Sequence, residues 1–467
     1  MWSKGVQEGG CKVETKRDEQ PSLVLFGAKQ DGQAGQASLS DDRRVDPAVW
    51  TPRMLQALEQ GVKGGVWFSL MDKVYAIRNL EAASRKVVAN KGSAGVDHVT
   101  VQMFEANRDT NLRRLHDELR DGTYEPQAVR RVYIPKPGSR QRRPLGVPTV
   151  RDRTVQTALR NVIEPIFERD FAEHSYGFRP GRGCRDALRR VDALLRQGYL
   201  WVVDVDIKSY FDTIPHQPLL ELIRKKIADG RVLALIESLL GQRVLESARQ
   251  WTPEDGTPQG AVISPLLANV YLDPLDHLMA AQGFQMTRYA DDMVIQCRDG
   301  QEAERALEEL TRWTREAKLT LHPEKTRIVQ VTEQQGFDFL GYHLRLSRHR
   351  PGKVNRWPRR KSEQRFKDAV RTLTKRTNGR SLECTIAKLN PILRGFFNYF
   401  KHSIAAPLVN LDKWIRGRLR SILRRRQKRK GRAQGWDHLR WQNAFFHERG
   451  LFSMSGARER LLQPSPR

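Results

Sequence analysis

The sequence predicts an α+β protein whose last quarter is basic and helical. Three observations predict it. The stretch "LWVVDVDIKSYFDTIP" alternates with a period of two, as a strand with one buried face does. The stretches "TPQGAVISPLLANVYLDPLDHL" and "EAERALEELTRWTREAKL" instead repeat their apolar residues at helical spacing. After about residue 350 the composition shifts to basic helical segments such as "DKWIRGRLRSILRRRQKRKGR". Strands and helices are intermixed along the chain, which is the α+β pattern.

The bulk composition sets the class of partner. The 467 residues, 39% hydrophobic and 29% charged, suit a folded protein of two or three domains. Lys+Arg number 82 against 54 Asp+Glu, a formal net charge of +28, so the expected partner is a polyanion and nucleic acid comes first. An anionic membrane is the rival. No apolar run approaches the ~20 residues a span requires and no basic-then-apolar signal follows Met1, so a cytoplasmic protein with no membrane partner is expected. Cys11, Cys184, Cys297 and Cys384 form no CxxC pair, which argues against a disulfide framework and a thiolate zinc site.

Residues 1–62 show little hydrophobic period and read as a flexible N-terminal extension. The folded body is expected from residue 63, beginning with one helical run in which Leu70, Val74, Ile77, Leu80 and Ala83 share a face and Lys91-Gly92 ends it. "RRVYIPKPGSRQRRPLGVP" reads as two short strands, Val132 to Ile134 and Leu145 to Val147, around a basic Pro/Gly loop. In the next strand Val203, Val205 and Ile207 point one way and Asp204, Asp206 and Lys208 the other. Ser264-Pro265 then reads as N-cap and first helical residue, with Leu267, Val270 and Leu275 on one face. The segment around Tyr289 is a hairpin and 302–319 an amphipathic helix.

The hairpin holds the most telling pair, Asp291-Asp292 in "RYADDMVI". Asp is common in turns, where it bonds its own backbone. Here the flanking strands are apolar enough to be central, and adjacent carboxylates at the rim of a buried sheet repel unless a cation neutralises them. Asp206 adds a third carboxylate at another strand end. Oxygen donors without His or Cys suit Mg2+ better than zinc, and the chemistry that needs them is phosphoryl transfer with two metal ions.

"DIKSYFD" (206–212), "PQGAVISPLLAN" (258–269), "YADD" (289–292), "LHPEKT" (321–326) and "FLGY" (339–342) resemble, in order, the palm motifs of reverse transcriptases. "KGSAGVD" (91–97), "IPKPGSRQRRPLGVP" (134–148) and "YGFRPGRGC" (176–184) are similar to the fingers of the group II intron-encoded reverse transcriptase/maturases, and "LRGFFNYF" (393–400) to their thumb, or maturase X domain. An RNA-dependent RNA polymerase usually carries Gly before the Asp pair, where Ala290 stands here. The resemblance covers roughly residues 65 to 430 and does not reach the family's optional HNH endonuclease, so DNA cleavage is not expected of this chain. It implies a right-hand polymerase: fingers and palm with an antiparallel sheet over 63–345, a helical thumb/maturase X domain over 346–430, and a basic C-terminal tail over 431–467 that is a candidate for DNA binding.

The resemblance also implies roles. Asp206, Asp291 and Asp292 match the catalytic triad that binds two Mg2+ ions, with the Ile207 carbonyl as a further ligand. Phe211 matches the ring that crowds a ribose 2′-hydroxyl and selects dNTPs; a core aromatic is the alternative. Lys136 and Arg143 flank the fingers loop and would hold the triphosphate as a point charge and a fork. Gln259-Gly260 matches the loop under the incoming nucleotide, and Lys325 the residue proposed to protonate pyrophosphate. Asp204, outside the motif, reads as supporting or structural.

Between Ile415 and Arg432 there are ten Lys or Arg and no acid, a run that repels itself without a polyanion. Arg416, Arg420, Arg424, Arg425 and Lys428 are the candidate RNA contacts, while Phe396, Phe397, Tyr399 and Phe400 are expected mostly in the core. The implied partners are group II intron RNA, an RNA template with a DNA primer, target DNA and dNTPs. The implied function is RNA-directed DNA synthesis together with assistance to splicing and intron mobility. The alternatives are a non-enzymatic RNA-binding maturase and a host-recruited reverse transcriptase serving defence or repair.

Overall fold

The computed structural model describes residues 46, 49–135, 142–246, 249–257 and 260–463. They divide into two compact units, residues 46–340 with 345–354 and residues 341–344 with 355–463.

The larger unit starts before residue 63. Helix Pro52–Gln60 is capped by Thr51, whose hydroxyl accepts from the Met54 N–H at 3.3 Å, with Pro52 in the first turn. Val49, Trp50 and Met54 are buried, and the Trp50 indole donates to the Asn161 carbonyl at 3.0 Å. Residues 49–60 are therefore folded, a correction to the flexible extension. The helix is short, burying Met54 with Leu55 and Leu58 packed against the core, and the Gly-, Gln- and Ser-rich stretch before it hides it in the sequence.

The run expected as one helix is two, Met71–Tyr75 and Ile77–Ala89, broken at Ala76. Leu70, Val74, Leu80 and Ala83 are buried, whereas Ile77 is exposed. Buried Asn79 accompanies the break: its side-chain amide donates to the carbonyls of Lys73 at 2.9 Å and Val74 at 3.3 Å, which continuous helix would have used, and to the Ala158 carbonyl of a neighbouring helix at 3.0 Å.

Strands β1 (Val129–Pro135) and β2 (Arg142–Val147) form the expected antiparallel pair. Next in sequence is β3 (Trp201–Asp206), followed by β4 (Val244–Glu246) and β5 (Arg249–Trp251). The sheet order is β2-β1-β4-β5, and β1 pairs with β4 in parallel, a departure from an all-antiparallel expectation. The long connection from β1 to β4 supplies the crossover that a parallel pair requires.

Strands β6 (Gln285–Tyr289), β7 (Asp292–Cys297) and β8 (Arg327–Gln330) join β3 in the order β6-β7-β3-β8, antiparallel throughout. Val203, Val205 and Ile207 are buried on one face while Asp204 and Asp206 remain half-buried on the other, as the alternation predicts. Helix Gly300–Glu316 packs on β3, β7 and β8, and helix Cys184–Arg196 on β6 and β7. Helix Ser264–Ala281 packs on β6 and is buried on nearly all sides, with Leu267, Val270 and Leu275 in the core. Its N-cap is Ile263, one residue earlier than expected; Ser264 is already helical and Pro265 still falls within the first turn, where its missing N–H costs nothing.

Apart from strand residues at 342–344 and 355–358, the smaller unit is built of helices: Arg360–Leu373, Leu382–Phe400, Ala405–Arg426, Gly435–Arg440, Asn443–Glu448 and Met454–Leu462. Phe366, Phe396 and Phe400 are fully buried, with ring centroids 4.2 Å (Phe366–Phe396) and 4.6 Å (Phe396–Phe400) apart. Phe397 is buried as well, and Tyr399 is half-buried, as expected of a mostly core aromatic set.

Residues 431–463 are not a tail. Phe446 and Met454 are fully buried, and the Asp412 carboxylate accepts from the N–H groups of Met454 at 3.2 Å and Ser455 at 2.9 Å, holding the start of the last helix. The segment's helices are short and their anchor lies some forty residues away in sequence, so local pattern does not reveal them. Among the described residues no helix is long and apolar enough to cross a membrane.

Candidate active site

The β3–β7 register places Asp206 opposite Asp292. Asp291 is the adjacent residue in the two-residue loop that joins β6 to β7, where Tyr289 pairs with Asp292. The loop needs a left-handed residue, and Ala290 adopts it with φ 58°. Gly177 packs against this loop so closely that a Cβ there would lie 2.2 Å from the Ala290 nitrogen. The three sequence-predicted carboxylates thus occupy neighbouring strand ends of one sheet.

Their electrostatics differ. Burial pushes the Asp291 carboxyl up, and the charge of Asp206 adds to this while Arg143 and Arg288 oppose it. Asp206 carries a cation already: the Lys325 ammonium donates to its Oδ2 at 2.5 Å. Asp204 lies opposite Arg327 on β8, 3.6 Å from its Nε, and burial raises its carboxyl to about 6 despite that partner. Its role is an ion pair within the sheet, matching the structural expectation.

Ile207 is buried and bridges to Leu321. The bonds of that bridge are Lys208 N–H to Thr320 O and His322 N–H to Asp206 O, both 2.8 Å, so the Ile207 carbonyl takes no part in it. Among the described residues no three His, Cys, Asp or Glu side chains are gathered closely enough to hold a metal ion as they stand. The donor chemistry nonetheless fits a hard cation. All the donors are oxygens, Asp291 is an acid held in a desolvated loop beside Asp206, and an ammonium sits where positive charge is required.

Phe211, in the short helix Tyr210–Thr213, is 8% exposed and meets Phe178 edge-on with centroids 6.4 Å apart. Phe178 also lies 6.5 Å from the Tyr289 ring, so these aromatics flank the acidic loop. Arg143 is exposed on β2 and acts electrostatically on both Asp291 and Asp212. Lys136 and Gln259 lie outside the described residues. Gly260, with φ 111°, brings its backbone against β2: a Cβ there would lie 2.4 Å from the Gly146 carbonyl oxygen.

The proposed RNA contacts divide. Arg425 and Lys428 are exposed and Arg416 is half-buried. Arg420 is 4% exposed; its guanidinium donates to the Trp441 carbonyl at 2.8 Å and Asn443 Oδ1 at 3.0 Å and lies over the Phe446 ring. Arg424 donates to Asp437 Oδ2 and to the Lys430 carbonyl, each at 2.9 Å. These two are corrections. Their charges are spent on internal partners supplied by residues 430–446, most of which read as tail in the sequence.

Sequence reasoning missed the residues beneath the acidic loop. Arg288 is fully buried and ion-paired to Asp276, with Asn269 beside them. Arg179 is likewise buried, its Nε donating to both Glu168 oxygens at 3.0 Å. For Arg288 the usable signal was an arginine in a strand expected to be central to the sheet, which folding tolerates only with a buried partner; Arg179 lies in a loop and carried no such signal.

Comparison with known proteins agrees with this geometry. Residues 134–344 match the family described as "Reverse transcriptase (RNA-dependent DNA polymerase)", and residues 363–441 the "Group II intron, maturase-specific domain". Protein YkfC of Escherichia coli is 34% identical over 316 residues, 59% of this chain and 82% of that protein. Group II intron-encoded protein LtrA of Lactococcus lactis is 38% identical over 214 residues, 45% of this chain. A putative COX1/OXI3 intron 2 protein of Saccharomyces cerevisiae is 33% identical over 203 residues, 43% of this chain. The matched stretch spans 35% of LtrA and 23% of the yeast protein.

Proposed function

The chain belongs to the group II intron-encoded reverse transcriptase/maturases, and on that premise we propose that it extends a DNA primer on an RNA template using dNTPs and two Mg2+ ions. Its helical unit binds intron RNA to assist splicing and, at target DNA, intron mobility. The cytoplasm is the proposed setting. The observation that carries the reading is the register that sets Asp206 opposite Asp292 with Asp291 in the adjoining loop.

Asp206, Asp291 and Asp292 would hold the ions, with the Ile207 carbonyl beside them. Such ions activate the primer 3′-hydroxyl and offset charge on the leaving pyrophosphate. Lys325 now neutralises Asp206; once that carboxylate is otherwise engaged, its ammonium is a proton donor for pyrophosphate. Arg143 presents a fork to the triphosphate from β2, and the sequence motif makes Lys136 a second phosphate ligand. The sequence motif assigns Gln259 to the incoming nucleotide, and Phe211 closes the 2′ side of its sugar.

The test is extension of a labelled primer on an RNA template, with and without Mg2+, beside a filter-binding measurement with group II intron RNA. Mg2+-dependent extension with dNTPs and not rNTPs is expected. Tight RNA binding without extension would support a non-enzymatic maturase instead.

A further inference from the structure

The loop carrying Asp291 and Asp292 rests on a buried polar assembly centred on an arginine closed off from solvent. Arg288, at 0% exposure, precedes the loop on β6. Its Nε donates to both Asp276 oxygens, at 2.8 and 3.0 Å, and its Nη2 also reaches Asp276. Its Nη1 forks: one bond goes to Asn269 Oδ1 at 2.9 Å and the other to the Ala290 carbonyl at 3.1 Å. Asn269 and Asp276 are seven residues apart on helix Ser264–Ala281, two turns along one face, so one rigid helix presents both. The Asn269 amide in turn donates to the Gly177 carbonyl at 2.8 Å.

The loop is also held from the other side. The Tyr176 N–H donates to the Arg288 carbonyl at 2.9 Å and the Arg288 N–H to the His174 carbonyl at 3.0 Å, tying segment 174–177 to β6. That pairing seats Gly177 on the Ala290 nitrogen. The peptide groups on both sides of Ala290, a residue in a conformation that L-residues avoid, are therefore fixed by the same assembly.

We propose that Arg288, through Asp276 and Asn269, is a positioning residue that holds the Ala290 turn so that Asp291 and Asp292 stand preorganised for divalent cations. This rests on the metal-dependent polymerase reading above. A structural ion pair would need only Asp276. The distinctive feature is the third contact, from the same guanidinium to the carbonyl of the peptide that leads into Asp291. A carboxylate pair held in place spends no binding energy on ordering itself, which is why the effect should appear in metal affinity.

Two variants separate the roles. Arg288→Lys keeps the charge opposite Asp276 but cannot fork to Asn269 and Ala290 together. Asn269→Ala leaves the ion pair intact and removes the bridge to Gly177, so it decides the matter should Arg288→Lys fail to fold. The readouts are Mn2+ affinity by electron paramagnetic resonance of the unreacted protein, thermal midpoint, and the kcat and KM of primer extension. We expect Asn269→Ala to weaken Mn2+ binding about tenfold, the scale of one buried hydrogen bond. The kcat should fall with it, while the KM for primer-template stays constant and added Mn2+ restores part of the rate.

Wild-type Mn2+ affinity and wild-type kcat in folded variants would overturn the proposal. Asp291→Asn serves as the control. If that variant also retains Mn2+ binding, the metal assignment itself is wrong; if it loses binding while Asn269→Ala and Arg288→Lys keep it, only the positioning role is.

Discussion

At the residue scale, Phe211 carries two competing readings. It is nearly buried and meets Phe178 at the edge of the acidic loop, a position compatible with a core role and with the proposed sugar-selecting one. Phe211→Val distinguishes them: a sugar gate predicts rNTP incorporation at nearly unchanged stability. A core aromatic predicts a loss of about 3 kcal/mol, somewhat below the cost of truncation to Ala, with dNTP preference intact. Asp204 offers a pH test. Its folded carboxyl is raised to about 6, so its protonated form favours folding at low pH, and that contribution is lost as pH rises through about 6. Asp204→Asn should therefore raise the thermal midpoint at pH 8 relative to wild type, with the difference shrinking toward pH 4. A constant difference across that range in thermal melts would assign the carboxyl an ordinary titration.

Elements show where the sequence was legible. The β3 alternation, the hairpin at Tyr289 and the amphipathic helix 300–316 were readable because each buries a regular face within its own length. The neighbouring positions of Asp206, Asp291 and Asp292 were readable because the β3 alternation and the hairpin at Tyr289 put all three at strand ends of one sheet. The helix break at Ala76 and the anchoring of 431–463 were not readable, since each involves a buried polar side chain, Asn79 or Asp412, whose partners are set by packing. Arg420 illustrates the cost of reading charge alone. Its bonds to Trp441 and Asn443 tie its helix to the segment that follows. Arg420→Gln should destabilise the helical unit by ~1–3 kcal/mol, the scale of buried donors and acceptors left unpaired. Arg425→Gln, at an exposed position, should change stability by less than ~0.5 kcal/mol. Chemical denaturation of the two variants checks the contrast, and equal effects would return Arg420 to the surface set.

For the molecule as a whole, the +28 charge and the division into two units predict that synthesis and RNA gripping are separable. The acidic triad lies in the larger unit and the exposed basic residues Arg425, Lys428, Arg429 and Lys430 in the smaller. Replacing those four with Gln, and leaving the internal Arg420 and Arg424 in place, should lower the slope of log affinity against log salt by roughly 0.7–0.9 per lost phosphate contact. Extension on a short primer-template at low salt should change far less. An unchanged salt slope would make the run a solvated face. Whether Asp206, Asp291 and Asp292 form the catalytic metal site is decided by single-nucleotide incorporation with Asp291→Asn. This change removes one charge and almost no volume. A metal site predicts a rate lower by several decades, each factor of ten being ~1.4 kcal/mol, with wild-type thermal stability and RNA affinity. Incorporation at a near-wild-type rate by the folded variant would contradict it.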